Sequence, residues 1–206
     1  MESQPYLANA FVSCSLRQED KPFTDMVEKI LERHRIKPMG TVGKYSAAPI
    51  NTAEHMKQNI PLVDLIVIVA TPRYLQKDLH TGQVNYGLSE MVHVEAGMAF
   101  MAGKPVVVFV QEGTHVGNFL PNITEYIILN GHQIDLENKW SLINSLLNNA
   151  YVAVRQIKEY ESSKSLGNFV MKGLAVWGGI KLVDTLFTEE KPMRRKRTTK
   201  KTRLKR

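Results

Sequence analysis

The sequence predicts an α/β fold, a three-layer sandwich with a central parallel sheet. Short apolar runs alternate with stretches of helical period over residues 9–160, the mark of parallel strands joined by crossover helices. One of these runs, Asp64 to Ala70 (DLIVIVA), is almost continuously apolar, as a strand covered on both faces requires. The size is right for it: 206 residues, 43% hydrophobic and 23% charged, make one globular domain with an appendage and exclude collagen, coiled coil and wholesale disorder.

Residues 9–15 (NAFVSCS) are read as the first strand, followed by a polar loop over 16–22. Phe23, Met26, Val27, Ile30 and Leu31 then recur at helical spacing in a helix ending near His34. Residues 36–42 form a weak second strand, 52–59 a short helix and 64–70 the central strand. A long polar loop is expected over 71–87, broken again at His80-Thr81-Gly82, and loops of that length tend to be functional. Ser89 is placed to cap a helix that stops at Gly103 before Lys104 and Pro105. Residues 105–110 (PVVVFV) and 126–129 are further strands, and Trp140, Ile143, Leu147, Ala150, Val154 and Ile157 mark an amphipathic helix to about residue 160.

Three parts are therefore expected: a nucleotide-handling domain over 1–161, an apolar helical segment over 162–190 and a disordered basic tail over 191–206. The apolar stretch 166–187 is not read as a membrane span, because Asn168, Lys172, Lys181 and Asp184 interrupt it and Gly178 and Gly179 sit in its middle. A docking helix, an oligomer contact or an interfacial helix all fit it. The formal net charge of +7 belongs to the tail, which holds ten of the 27 Lys and Arg and no acid. The remaining 17 basic residues face 20 acidic ones, so only the tail offers a footprint for a polyanion or an anionic membrane surface. The single cysteine, Cys14, cannot form an intramolecular disulfide, and no secretory signal opens the chain, so a reducing, cytoplasmic setting is expected.

Open parallel sheets bind ligands at the carboxyl ends of their strands, beside the point where the strand order reverses. The loops to inspect follow the first and third strands. One carries Ser13, Ser15, Arg17, Gln18 and Asp20, and the other Pro72, Arg73, Tyr74, Asp78, His80 and Asn85, leading into the helix with Glu95. On that helix the neighbours of Glu95 at three and four positions are Met91, Val92, Met98 and Ala99, all apolar. A carboxylate in such company is expected to be partly buried, with its pKa raised. Three readings remain open: a functional carboxylate, an acid paired with Arg17 or Arg73 to brace the sheet, or a helix face that is simply exposed. Other signals are weak. Residues 40–44 (GTVGK) are too short for a phosphate-binding loop and have Tyr45 where it needs Ser or Thr. The six scattered histidines and one cysteine make no metal-ligand spacing, and Cys14 reads as a small buried hydrophobe.

Three segments resemble the Toll/interleukin-1 receptor (TIR) family. FVSCSLRQED (residues 11–20) is similar to its first strand and loop, VDLIVIVATPRYL (63–75) to its third strand and Ser-Pro-x-Tyr exit, and SEMVHVEAGMAF (89–100) to its Ser-x-Trp-Cys-x-x-Glu helix. The resemblance spans about residues 9–131, with Met91 and Val92 in place of Trp-Cys. VEAGMAFMAGKPVVVF (94–109) is equally similar to the nucleoside 2-deoxyribosyltransferases, without their Asp shortly before the Glu. Both resemblances imply a flavodoxin-like fold and a glutamate at Glu95 acting on an N-glycosidic bond.

The TIR resemblance implies a hydrolase, an NAD nucleosidase that splits the nicotinamide–ribose bond in a defence or signalling role once self-assembled. NAD or a related nucleotide is then substrate, with no cofactor and no metal. Glu95 is the implied catalytic residue, and Ser13, Ser15, Arg17, Pro72, Arg73, Tyr74, Tyr86 and Ser89 the implied substrate-binding set, Arg17 holding a phosphate and Tyr74 or Tyr86 covering a ring. The transferase resemblance implies instead that Glu95 attacks the anomeric carbon. A third reading is a non-catalytic TIR-like adaptor or nucleotide sensor, assembling through residues 88–102 or 166–187 as a homo-oligomer.

Overall fold

The computed structural model describes residues 5–39 and 52–162. The continuous apolar run becomes β3 (Leu65–Ala70), with all six residues buried. It pairs parallel with β1 (Ala8–Ser13) on one side and β6 (Val106–Gln111) on the other. β2 (Ile36–Met39) flanks β1 and β8 (Tyr126–Leu129) flanks β6, also parallel, giving the order β2-β1-β3-β6-β8. Counted along the chain, this is the flavodoxin-like order of a doubly wound sheet, and it reverses between β1 and β3.

The three layers follow from the two-residue period of a strand. Leu65, Val67 and Val69 point into one core with α1 (Lys21–Arg33), α5 (Gln133–Asn138) and α6 (Trp140–Ser162), through Val27, Leu31, Leu136, Ile143 and Leu147. Ile66, Ile68 and Ala70 point the other way, towards α2 (Thr52–Asn59), α3 (Glu90–Met101) and α4 (Leu120–Ile123), through Met56, Val92, Ala96, Ala99 and Leu120. The helix period expected for residues 23–34 is therefore the stripe that α1 buries, and Trp140 to Ile157 is the stripe of α6. At the amino-terminal edge of the sheet, Asp64 accepts a hydrogen bond from the Asn9 amide at 2.8 Å and meets the Lys158 ammonium at 2.8 Å, which ties α6 to β1.

The expected loop over 71–87 is instead a β-hairpin. β4 (Tyr74–Lys77) and β5 (Val84–Gly87) pair antiparallel, and β7 (Thr114–His115) joins β5 to make a second, three-stranded sheet. The Asp78 carboxylate closes the turn by accepting the amides of His80 and Thr81 at 2.8 and 2.7 Å, and Gly82 takes φ +72°. These amides hold the Asp78 carboxyl below the usual range. The hairpin hides from a periodicity reading because every residue of β4 is exposed, so neither face has to be apolar. The short α4, α5 and β7 were also not expected; each is too brief to show a period. The GTVGK turn, the segment 166–187 and the basic tail lie outside the described residues, and the division at 161–162 is not tested by those that are described. Among the described residues no helix is long and apolar enough to cross a membrane.

Phe109 is fully buried in β6, whereas Leu79 at the hairpin turn is 93% exposed. Phe109→Ala is expected to cost about 3–5 kcal/mol in urea denaturation, and Leu79→Ala less than about 0.5 kcal/mol.

Candidate active site

Beyond the carboxyl ends of β1 and β3, where the strand order reverses, a cavity of 560 Å³ opens. β1 contributes Ser13 at its last residue, the following turn Cys14, Ser15, Leu16 and Arg17, and the segment after β3 Thr71 and Arg73. Ser89, Met91, Val92 and Glu95 come from the start of α3. An adjoining cavity of 350 Å³ shares Arg17 and Arg73 and is lined further by Pro72, Tyr74, Tyr86 and Gln111. All nine residues expected at a site thus line one or the other cavity, although they span residues 13–95 of the chain.

Glu95 is buried, 8% exposed, on the sheet-facing side of α3 with Val92, Ala96 and Ala99. Its carboxylate accepts a hydrogen bond from the Ser13 hydroxyl. Among the described residues no cation pairs with it, and burial pushes its carboxyl up to about 7. The bracing alternative is thereby answered. Arg17 does not reach Glu95: its guanidinium donates to Asp20 at 2.8 Å and to the Pro72 carbonyl at 2.6 Å, and lies 3.4 Å from Glu19. These contacts fasten the turn after β1 to the exit of β3 and leave Arg17 a framework residue at the cavity wall.

Arg73 is held by its backbone, its amide donating to the Gly87 carbonyl at 2.8 Å, while its exposed side chain makes no ion pair among the described residues. Ser89 occupies the N-cap position of α3 but makes no capping hydrogen bond through its side chain, so the hydroxyl remains available to the cavity. Cys14, read as a small buried hydrophobe, is half-buried: it packs against the core and also lines the cavity. Thr71, Leu16, Met91, Val92 and Gln111 were not singled out by sequence; the first directly follows the central strand, a positional signal that would have found it. Gln18 lines a separate groove along α1, and Asp78, His80 and Asn85 line neither cavity.

No protein-family model and no curated protein matches the chain. Among solved structures it is similar to a CMP N-glycosidase of Clostridium botulinum, at 17% identity over 65% of this chain and 98% of that one, with a TM-score of 0.40. A conserved protein of Enterococcus faecalis matches at 18% identity over 53% and 65% of the two chains, with a TM-score of 0.36. A 2-deoxyribosyltransferase from Bacillus psychrosaccharolyticus matches at 14% identity over 62% and 90%, with a TM-score of 0.38.

The raised pKa of Glu95 has a consequence for stability. The free carboxyl titrates at 4.5 and the folded one at about 7, so between these values the folded chain holds more protons and stability falls as pH rises. The cost of burying the charge is absent below 4.5 and complete above 7. Glu95→Gln is therefore expected to be more stable than wild type by up to about 3 kcal/mol at pH 8, with the difference vanishing towards pH 4 in urea denaturation.

Proposed function

We propose that the chain is an enzyme acting on the N-glycosidic bond of a nucleoside or nucleotide, with Glu95 meeting the reacting sugar. The observation that carries this is a buried carboxylate that no cation among the described residues neutralises, set in a cavity at the reversal point of the sheet. When the bond from the anomeric carbon to the base breaks, its electron pair leaves with the base and positive charge builds on the sugar. An ionised Glu95 offsets that charge, and because the carboxylate is buried the attraction is weakly screened. A water molecule then adds to the anomeric carbon and releases a proton to solvent. In the transfer variant the Glu95 carboxylate itself bonds to that carbon before a second base displaces it.

The leaving group separates the two substrates implied by resemblance. Among the described residues lining the first cavity, Glu95 is the one carboxyl group and there is no histidine, and the two carboxylates of the adjoining cavity, Glu19 and Asp20, are both paired with Arg17. A single carboxyl cannot be ionised for the sugar and also protonate a departing base. This favours a base that leaves neutral from a cationic nucleotide, as nicotinamide does from NAD. Arg73, between the two cavities, is positioned for a substrate phosphate, and Tyr74 and Tyr86 border the space for a second ring. Transfer of a deoxyribosyl group needs the proton from solvent.

Wild type and Glu95→Gln, incubated with NAD and with deoxynucleosides plus a competing base, are compared by chromatography of the released bases. Glu95→Gln is expected to lower turnover at least about a hundredfold, the scale lost with one preorganised electrostatic group. Because the ionised carboxylate is the active form, wild-type kcat/KM should rise with pH through about 7 and level off above it. Nicotinamide release without base exchange identifies the NAD reading, and base exchange the transferase. Near-normal turnover by Glu95→Gln overturns the role of Glu95, and no turnover of either substrate leaves the binding-only reading.

A further inference from the structure

The last residue of β1 breaks the pattern of the strand. Ala8, Ala10 and Val12 pack into the core on the α1 side and Phe11 into the one on the α3 side, so alternation turns Ser13 towards α3. Its register partner there is Ile68, an apolar core residue. Ser13 is buried, and a hydroxyl in such surroundings costs free energy unless it is hydrogen-bonded. Two other buried hydroxyls donate to the backbone, Thr24 to the Asp20 carbonyl and Thr124 to the Val106 carbonyl. Ser13 donates instead to Oε2 of Glu95. A hydroxyl has one proton. With it committed to Glu95, Ser13 has none left for a sugar or a phosphate, although it was expected among the substrate contacts.

Glu95 has no other anchor of this kind. The titratable groups that line the cavity with it are Cys14 and Arg17, from the turn after β1, and Arg73, from the exit of β3. Neither arginine pairs with it among the described residues, Arg17 being held by Asp20, Glu19 and the Pro72 carbonyl. β3, β6 and α4, which pack against α3, bring no titratable side chain. On α3 itself Glu90 is exposed, and His93 packs edge-on against the Phe119 ring, with 6.1 Å between centroids. Ser13 is thus the one hydrogen-bond donor that the described residues bring to this carboxylate.

We propose that Ser13 is a positioning residue: its hydroxyl holds the Glu95 carboxylate in place at the cavity and donates nothing to substrate. One carboxylate oxygen is fixed from β1. The other, Oε1, takes no hydrogen bond from the described residues and is left for the reacting sugar. A donor to a carboxylate also favours the ionised form, which the proposed chemistry needs, so removing that donor pushes the titration of Glu95 further up. The hold on the carboxylate stands on the geometry, whereas its consequence for turnover rests on the proposed function.

Glu95 can be followed without an activity assay, by carbon NMR of the full chain labelled at its glutamate carboxyls, its signal being the one absent from Glu95→Gln. Wild type should titrate at about 7. Ser13→Ala should raise that midpoint by about one pH unit, the scale of one charge-assisted hydrogen bond. Ser13→Cys, similar in volume but a weak donor, should raise it too, and Ser13→Thr, which keeps the hydroxyl, should leave it in place. In turnover, Ser13→Ala should lower the high-pH plateau of kcat about tenfold with KM unchanged, a split that a substrate contact reverses. A midpoint that stays at its wild-type value in both Ser13→Ala and Ser13→Cys overturns the proposal, as does a raised KM with kcat preserved. The two inferences fail separately. A shifted midpoint in a chain that turns over neither NAD nor deoxynucleosides supports the hold on Glu95 and counts against the enzyme; turnover that depends on Glu95 but not on Ser13 does the reverse.

Discussion

Burying both faces of β3 is the constraint on which the rest of this structure depends. Its six residues exclude water completely, so every helix that covers them must bring an apolar stripe, and polar chemistry is displaced to the strand ends. The reversal of strand order between β1 and β3 then leaves a gap where no crossover helix lies directly over the carboxyl ends. The candidate site fills that gap, and its walls begin where the strands stop: Ser13 at the end of β1 and Thr71 just after β3.

Among the described residues, Glu95 is the one buried charged side chain on an α-helix that covers the sheet. A carboxyl group on the inward side of α3 loses hydration without gaining a cation from the described residues, and the Ser13 hydroxyl compensates only in part. An acid held near its titration point in a cavity is costly to the fold and useful to chemistry, the usual relation between strain and function. Arg17 shows the opposite solution. Its charge is balanced by Asp20 and Glu19 and anchored to the Pro72 carbonyl, so it builds the turn that positions Ser13 and Ser15.

Legibility tracked burial. Residues 52–59 and 126–129 form the expected elements, and the central strand differs from the expected run only at Asp64, which is drawn off to the Asn9 amide and Lys158. The hairpin of β4 and β5 was illegible because its order comes from ladder hydrogen bonds and the Asp78 turn, with no buried face to impose alternation. Glu95 could be singled out because its helical neighbours are apolar, a local property. Ser89 was read as a helix cap because a serine before an apolar helix is so often one, and its side chain makes no such bond.

By itself the sequence determined the layered α/β architecture, the central strand, the helix stripes and the unusual setting of Glu95, because each follows from hydrophobic period over neighbouring residues. Tertiary structure alone decided that Arg17 would be consumed by Asp20 and Pro72 while Arg73 met no acid among the described residues, that Ser13 would donate to Glu95, and that Tyr74 and Tyr86 would border the second cavity. These are pairings between residues as many as 82 positions apart. Strand order and helix packing set such distances, and no local pattern in the chain encodes which partner a charge or hydroxyl will meet.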